Sequence, residues 1–452
     1  MKRPAQLLLS FLLAAICVSN NAPAAGVFIE EPYLNIGSAP NDGVIRLAVL
    51  WHAPDAEANW EVRYRANGHS LSATPTYRVV EAGTIPAHRV YNCLMEGFAP
   101  GEAAAYEVYK DGQRVFQAVG RAPKVTSQPF KFLVFGDCGR GRPDQKALAK
   151  QAVAEKPDFV ALVGDLVYTH GSVNEYRSNF FPYYNTSDIP LMRSVPCIGM
   201  SGNHDTGNPS LSSYPTGLAF YYYWSQPLNG PTPMGPRVSG SGAQLDAFRK
   251  GAGPNYPGGA NFSFDYGNSH WTVLDSNPYN NWKNPELRAW LESDLKASSS
   301  ATWKFVAFHH PPFHSSHAHQ MDRFMRSVVD LIEKYHVDVV WCGHVHNYQR
   351  SFPMHVGKGF LTNVNTDDWQ LDRSYDGKGA NRPNGTIYIV DGAGGAEIYN
   401  PEQENDPSSW QPFTTRYICK YSFTSVSING NRFTARQIAK DGRELDSFII
   451  QK

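Results

Sequence analysis

Five apolar runs between residues 130 and 345 each end abruptly in residues of the kind that ligate metals. Residues 132–135 lead into Gly136-Asp137-Cys138-Gly139. Residues 159–163 lead into Gly164-Asp165-Leu166-Val167-Tyr168. Ile198 leads into Gly202-Asn203-His204-Asp205. Val306-Ala307-Phe308 leads into His309-His310-Pro311-Pro312, and Val339-Val340-Trp341 into Gly343-His344-Val345-His346. Short apolar runs bounded by turn residues read as buried strands. Glycine lets the backbone turn tightly beside such ends. Open α/β sheets collect ligands at the C-terminal ends of their strands. One such turn is an ordinary strand end with a solvated carboxylate. Five in one stretch demand a fold that brings the ends together, with Asp165 able to join two cations. The mix of carboxylate, amide carbonyl, phenol and imidazole suits hard or borderline ions rather than soft ones.

The rest of the chain supplies the scaffold. Residues 26–125 read as all-β, with strands over 44–51, 61–64, 77–82, 89–94, 104–109 and 113–119 between Gly, Pro and Asn clusters. That spacing suggests a small β-sandwich. His52, His69 and His88 are scattered through it and read as surface or packing residues. Ala122-Pro123-Lys124 marks a boundary. Beyond it, a strand over 132–135, a helix over 143–155 and a strand over 159–163 form a βαβ unit. Asn284 caps a helix with Pro285 in its first turn and an apolar stripe of Leu287, Trp290, Leu291 and Leu295. Further on come strands over 305–308 and 337–341 around a helix over 321–335, then strands over 387–390, 421–428 and 432–438. Residues 206–260 and 354–385 read as long loops or lids.

At 452 residues the chain is too long for one ordinary core, so two domains are expected. Equal numbers of basic and acidic residues give a formal charge of zero, which argues against a nucleic-acid or membrane-surface partner. An anionic substrate would therefore need a local source of positive charge. Residues 1–25 have a signal peptide's layout: Lys2 and Arg3, an apolar core over 7–18, and Ala22-Pro23-Ala24 as a cleavage site. The mature protein is thus expected to be exported, periplasmic or secreted. Five cysteines remain in it, without a disulfide framework or a CxxC pair.

The ordered set GDCG, GDLVY, GNHD, VAFH and GHVH resembles the metallophosphoesterases and, within them, the purple acid phosphatases. Tyr168 separates that subgroup from most relatives. The resemblance covers about residues 130–440, and the region before it is similar to the fibronectin-like domain of plant-type members. It implies an α/β fold: a metallophosphoesterase β-sandwich flanked by helices (126–452), preceded by a small all-β fibronectin III-like sandwich (26–125). It also implies that Asp137, Tyr168 and His346 hold a ferric ion. Asn203, His309 and His344 would hold a divalent ion (Fe, Zn or Mn), with Asp165 bridging. The implied function is an acid phosphatase that hydrolyses small phosphate monoesters by attack of a metal-bound hydroxide. A phosphodiesterase or nucleotide pyrophosphatase on the same metals, and a non-catalytic secreted binding protein, are the alternatives.

The resemblance also places His204 beside the metals as a residue acting on the phosphate or the leaving group. His314, His317 and His319 follow His309 where the family carries further substrate-facing histidines, with His317 and His319 favoured and an exposed polar loop as the competing reading. Asp205 is expected to orient a histidine. Arg140 and Arg142 read as a solvated loop within reach of phosphate. Cys138 and Cys342 read as small packed residues. His170 and His310 have no assigned role.

Overall fold

The computed structural model describes residues 26–37, 44–231, 235–379 and 382–452. The leader expected over 1–25 lies outside the described residues. The N-terminal strands form two four-stranded antiparallel sheets. Leu47, Val49 and Trp51 from one sheet share a core with Val62, Tyr106 and Val108 from the other, so the sheets pack face to face.

Two larger sheets follow. In the six-stranded sheet, Phe130–Phe135 pairs parallel with Phe159–Leu162, which pairs parallel with Cys197–Gly199. In the seven-stranded sheet, Ser269–Val273, Trp303–Ala307, Val339–Cys342 and Ile387–Asp391 lie parallel in that order. The two sheets sandwich one core. Phe132, Phe159, Trp271, Phe305 and Trp341 meet in it, and the Phe132 ring meets Trp271 edge-on at 5.0 Å.

The period of two explains why these strands are apolar throughout. Phe130, Phe132 and Val134 face the sandwich core. Leu133 and Phe135 face outward onto Leu148, Ala149 and Ala152 of the Pro143–Ala154 helix. On the other sheet Val339 and Trp341 face inward. Val340 faces Leu287, Leu291 and Leu295 of the Pro285–Ala297 helix. The Asn284 side chain caps that helix, accepting from the Glu286 and Leu287 N–H groups. Trp290, expected in its stripe, is only partly buried.

Several expectations need correction. The helix expected over 321–335 is a 3-10 turn, Phe324–Val328, followed by a short α-helix, Val329–Lys334. The 206–260 stretch contains an eleven-residue helix, Gly242–Ala252, closed by a Ser241–Gln244 capping box. It also contains Phe220–Tyr223, whose four aromatic residues are all buried. The 354–385 stretch holds a small hairpin-like pair, Met354–Val356 with Trp369–Leu371. Arg140 and Arg142 are not free in solvent, since both pair with Glu397. Among the described residues no helix is long and apolar enough to cross a membrane.

Candidate metal centre

The C-terminal ends of the parallel strands of both sheets meet at one place. The Phe130–Phe135, Phe159–Leu162 and Cys197–Gly199 strands deliver Asp137, Asp165 with Tyr168, and Asn203. The Trp303–Ala307 and Val339–Cys342 strands deliver His309, and His344 with His346. Asp137, Asp165 and His346 form one group whose ligand atoms lie within 4.8 Å of one another, and Asp165, His309 and His344 form a second. Asp165 belongs to both.

Close approach dictates the glycines. A Cβ on Gly164, which has φ +89°, would lie 2.5 Å from His309 Nδ1. One on Gly202 would lie 2.2 Å from Asp165 Oδ1. Asp137, Asp165 and His344 have φ of 56°, 50° and 67°, a region that side-chain-bearing residues seldom occupy and that recurs at functional sites.

Backbone groups fix the imidazoles. His309 Nδ1–H donates to the Val163 carbonyl at 2.8 Å, so Nε2 faces Asn203 Oδ1 at 3.2 Å and Asp165 Oδ2 at 3.3 Å. His346 Nδ1–H donates to the Glu397 carbonyl at 2.7 Å, so Nε2 faces Tyr168 Oη at 3.1 Å and Asp137 Oδ1 at 3.3 Å. His344 Nε2–H donates to the Asp322 carboxylate at 3.1 Å. Such partners set which nitrogen is free to bind a metal. Tyr168 Oη–H donates to Asp137 Oδ1 at 3.1 Å.

The residues fit a pair of cations. Asp137 and Asp165 are buried, yet among the described residues the only groups within ion-pair distance that can carry positive charge are histidines. Two buried carboxylates side by side need compensating charge. Without metal, His309 supplies part of it: although burial disfavours its cation, Asp165 and Asp137 push its pKa up to about 9. Burial, Asp137 and Asp165 hold the Tyr168 phenol far above its ordinary value. A bound cation reverses that logic and favours the phenolate.

All seven expected ligands converge, and His204 joins them. Its Nδ1–H donates to the Thr169 carbonyl at 2.8 Å, and its Nε2 lies 3.9 Å from Asp165 Oδ2. The other histidines divide. His319 reaches the edge of the centre, its ring 4.1 Å from that of His344 and its Nδ1 3.1 Å from Asp322. His317 has an exposed side chain, and its backbone N–H donates to Gln403 Oε1 at 2.9 Å. His314 is buried and bonds the His319 carbonyl. Asp205 does not orient a histidine; it accepts the N–H groups of Leu166 and Gly202 and so braces two of the turns. Cys138 and Cys342 are buried, and no disulfide joins the five described cysteines.

Sequence reading missed Asp322, Tyr399 and Glu397. Tyr399 stacks on His346 at 3.9 Å and 10°. The Arg140 guanidinium, paired with Glu397, lies 5.0 Å from the Tyr168 ring centre. Only the spacing of Asp322 from the His317–His319 cluster offered a signal.

Residues 130–348 match the model of the calcineurin-like phosphoesterases. The chain carries a calcineurin-like phosphoesterase domain. Its relatives include purple acid phosphatases. It is 24% identical to purple acid phosphatase 15 of Arabidopsis thaliana over 422 residues, 85% of this chain and 68% of that one. It is 26% identical to purple acid phosphatase 23 of the same plant over 297 residues, 58% of this chain and 57% of that one. The chain thus spans little more than half to two thirds of these relatives' length. The solved structure of purple acid phosphatase PPD1 from yellow lupin seeds superposes with a TM-score of 0.69 at 19% identity, covering 94% of this chain and 75% of that one. This phosphoesterase domain, with its α/β sandwich and the all-β region before it, therefore shares the purple acid phosphatase fold.

Proposed function

We propose that the protein is an exported acid phosphatase acting on small phosphate monoesters, with residues 26–125 as an accessory sandwich and 126–452 as the catalytic domain. Neither nucleic acid nor a membrane is its partner. Asp137, Tyr168 and His346 would hold a ferric ion, Asn203, His309 and His344 a divalent one (iron, zinc or manganese), and Asp165 both. The observation that supports this reading best is the pair of buried carboxylates ringed by imidazoles, a phenol and an amide. Bound there, the ions would supply Lewis acidity to a phosphoryl oxygen and to water.

The chain's own groups do the rest. The Val163 and Glu397 carbonyls and the Asp322 carboxylate keep three imidazoles in one tautomer each. Because the Thr169 carbonyl can only accept, His204 Nδ1 carries a proton and Nε2 is the nitrogen that faces the centre. As an imidazolium, His204 can hydrogen-bond a phosphate oxygen and hand its Nε2 proton to the departing alkoxide.

Metal analysis, a visible spectrum and rates on nitrophenyl phosphate and bis(nitrophenyl) phosphate test the proposal together. It expects two metals per chain, one of them iron, a phenolate-to-iron band, and faster turnover of the monoester. An active but colourless protein without a ferric signal would remove the iron assignment. A faster diester rate would make it a phosphodiesterase.

A further inference from the structure

A cleft of about 600 Å³ opens beside the metal centre. That is a size typical of small-molecule sites. Asn203 and His204 belong to both the centre and the cleft wall. Away from them the wall is built outside the five motifs, from His170, Asn208, Asn277 and Tyr279. Among the described residues, its lining contains no lysine, arginine, aspartate or glutamate. Arg140 and Arg142 do not line it: both pair with Glu397, and Arg140 Nη1 also donates to Oγ1 of the lining residue Thr169 at 3.4 Å.

Hydrogen bonds brace the wall from behind. Tyr279 Oη–H donates to Asp275 Oδ2 at 2.7 Å, and Oη lies 2.8 Å from Thr206 Oγ1. Asn277 is fully buried. Its Nδ2 donates to the Gly202 carbonyl at 3.3 Å, Thr206 Oγ1 at 3.0 Å and Asp275 Oδ1 at 2.8 Å. The Gly202 carbonyl can only accept, which fixes that end of the amide as the nitrogen. Asn277 Oδ1 then accepts no hydrogen bond from any described residue. Buried acceptors without a donor are rare in native proteins and costly. At the mouth, the His170 ring stacks on Tyr214 at 4.3 Å and 20°, a flat edge for a ring or sugar face.

Building on the phosphatase reading, we infer that this cleft receives the leaving group, and that the group is an uncharged, hydroxyl-bearing alcohol: a sugar or nucleoside residue. Hydrolysis breaks the P–O bond to that alcohol. Water supplies the oxygen of the new P–O bond, and a proton passes from His204 to the alcohol oxygen. His204 stands on the cleft wall beside the centre, and hydroxyls of the alcohol meet the Asn208 amide. A second phosphate in the leaving group would shed water against a wall whose own lining side chains include no lysine or arginine. Sites built to hydrogen-bond a substrate's hydroxyls reject analogues that lack them.

The test uses the full-length, metal-loaded protein and its Asn208→Leu and His170→Ala variants, each checked for native circular dichroism. kcat/KM is measured on methyl phosphate, a hexose 6-phosphate, a nucleoside 5′-monophosphate and the matching triphosphate. The wild type is expected to favour the hexose or nucleoside monophosphate over methyl phosphate by at least about tenfold, and over the triphosphate. Each variant should erode that advantage, losing several-fold more on the favoured ester than on methyl phosphate. The hexose-to-nucleoside ratio identifies which alcohol fits. Equal losses on all esters, no losses, or a preference for the triphosphate would overturn the assignment while leaving the phosphatase reading intact. A protein that binds two metals yet hydrolyses none of the four refutes the phosphatase reading, and this inference with it.

Discussion

At the scale of single residues, the centre depends on Asp165 and His204 in different ways. Asp165 accepts the His204 N–H at 2.9 Å through Oδ1, and its Oδ2 lies 3.3 Å from His309 Nε2. Asn at 165 keeps the shape but removes the charge that two cations would share. Asp165→Asn is expected to lose at least one metal and essentially all hydrolysis while staying folded; metal analysis and rates check this, and full metal content with normal turnover would remove the two-metal centre. His204 touches the centre but is not one of the seven expected ligands, so His204→Ala should keep its metals and any colour. General-acid help is worth roughly 10²–10⁴ in rate, and it matters most for a poor leaving group. The loss should thus be far greater on an alkyl phosphate than on nitrophenyl phosphate. Equal losses would mean that His204 only positions the phosphate, and His319, at the opposite edge beside His344, would become the candidate acid.

At the scale of elements, His270 ties the Ser269–Val273 strand to the Pro285–Ala297 helix. Its Nδ1 lies 2.7 Å from Asp265 Oδ1 and its Nε2 3.1 Å from Asp294 Oδ2. Burial works against the imidazolium, but the two carboxylates outweigh it and push the pKa up to about 9. A pKa raised on folding means stability fully present below the unfolded value of about 6.5 and lost as pH rises through about 9. Discounted for the exposure of Asp265, this is of the order of 2 kcal/mol. Urea unfolding of the wild type and His270→Asn should therefore converge between pH 6 and pH 9.5; a constant gap would show that the histidine stays neutral. The same strand shows where sequence reading stops. Phe159–Leu162 and Val339–Cys342 were legible because they are apolar on both faces. Ser269–Val273 is just as buried, but Ser269, His270 and Thr272 interrupt the apolar run, and His270 and Thr272 are satisfied by Asp294 of the Pro285–Ala297 helix. The Pro285–Ala297 helix announced itself through Asn284 and Pro285. The Gly242–Ala252 helix hid among Gly and Ser, although its Ser241–Gln244 box was there to be read. The seven expected ligands were legible because each follows an apolar run and the family resemblance singled them out from neighbours such as Asp205 and His310. Asp322 was not, because it sits in a turn that only the folded chain carries to His344.

At the scale of the whole molecule, the N-terminal sandwich supplies none of the groups that converge on the centre, yet it shares a core with the rest. Tyr33, Leu50 and Val90 pack with Phe181 and Tyr223 in one cluster. Tyr33 Oη–H donates to the Tyr223 carbonyl at 2.7 Å, and Asn35 Nδ2 donates to the Cys197 carbonyl at 2.9 Å. This junction buries two histidines. His52 lies 3.0 Å from Tyr33 Oη, and His88 Nε2 lies 2.9 Å from Tyr223 Oη. Burial, and then the charge of Arg177, push the His88 pKa down to about 4. A histidine whose pKa falls on folding contributes stability that is present above about pH 6.5 and lost as pH drops through about 4. Glu30 acts in the opposite sense, since burial pushes its pKa up to about 8, so the wild-type profile alone sums opposing effects. Comparison with His88→Gln separates them: glutamine keeps a polar partner for Tyr223 but cannot take up a proton, and Glu30 is common to both proteins. Relative to the variant, the wild type is expected to lose about 2–3 kcal/mol between pH 7 and pH 4, read from denaturant midpoints. Parallel pH profiles would show that His88 stays neutral throughout or is wet at the junction. The expected result would mean that protonation of His88 weakens the junction between the sandwich and the phosphoesterase domain.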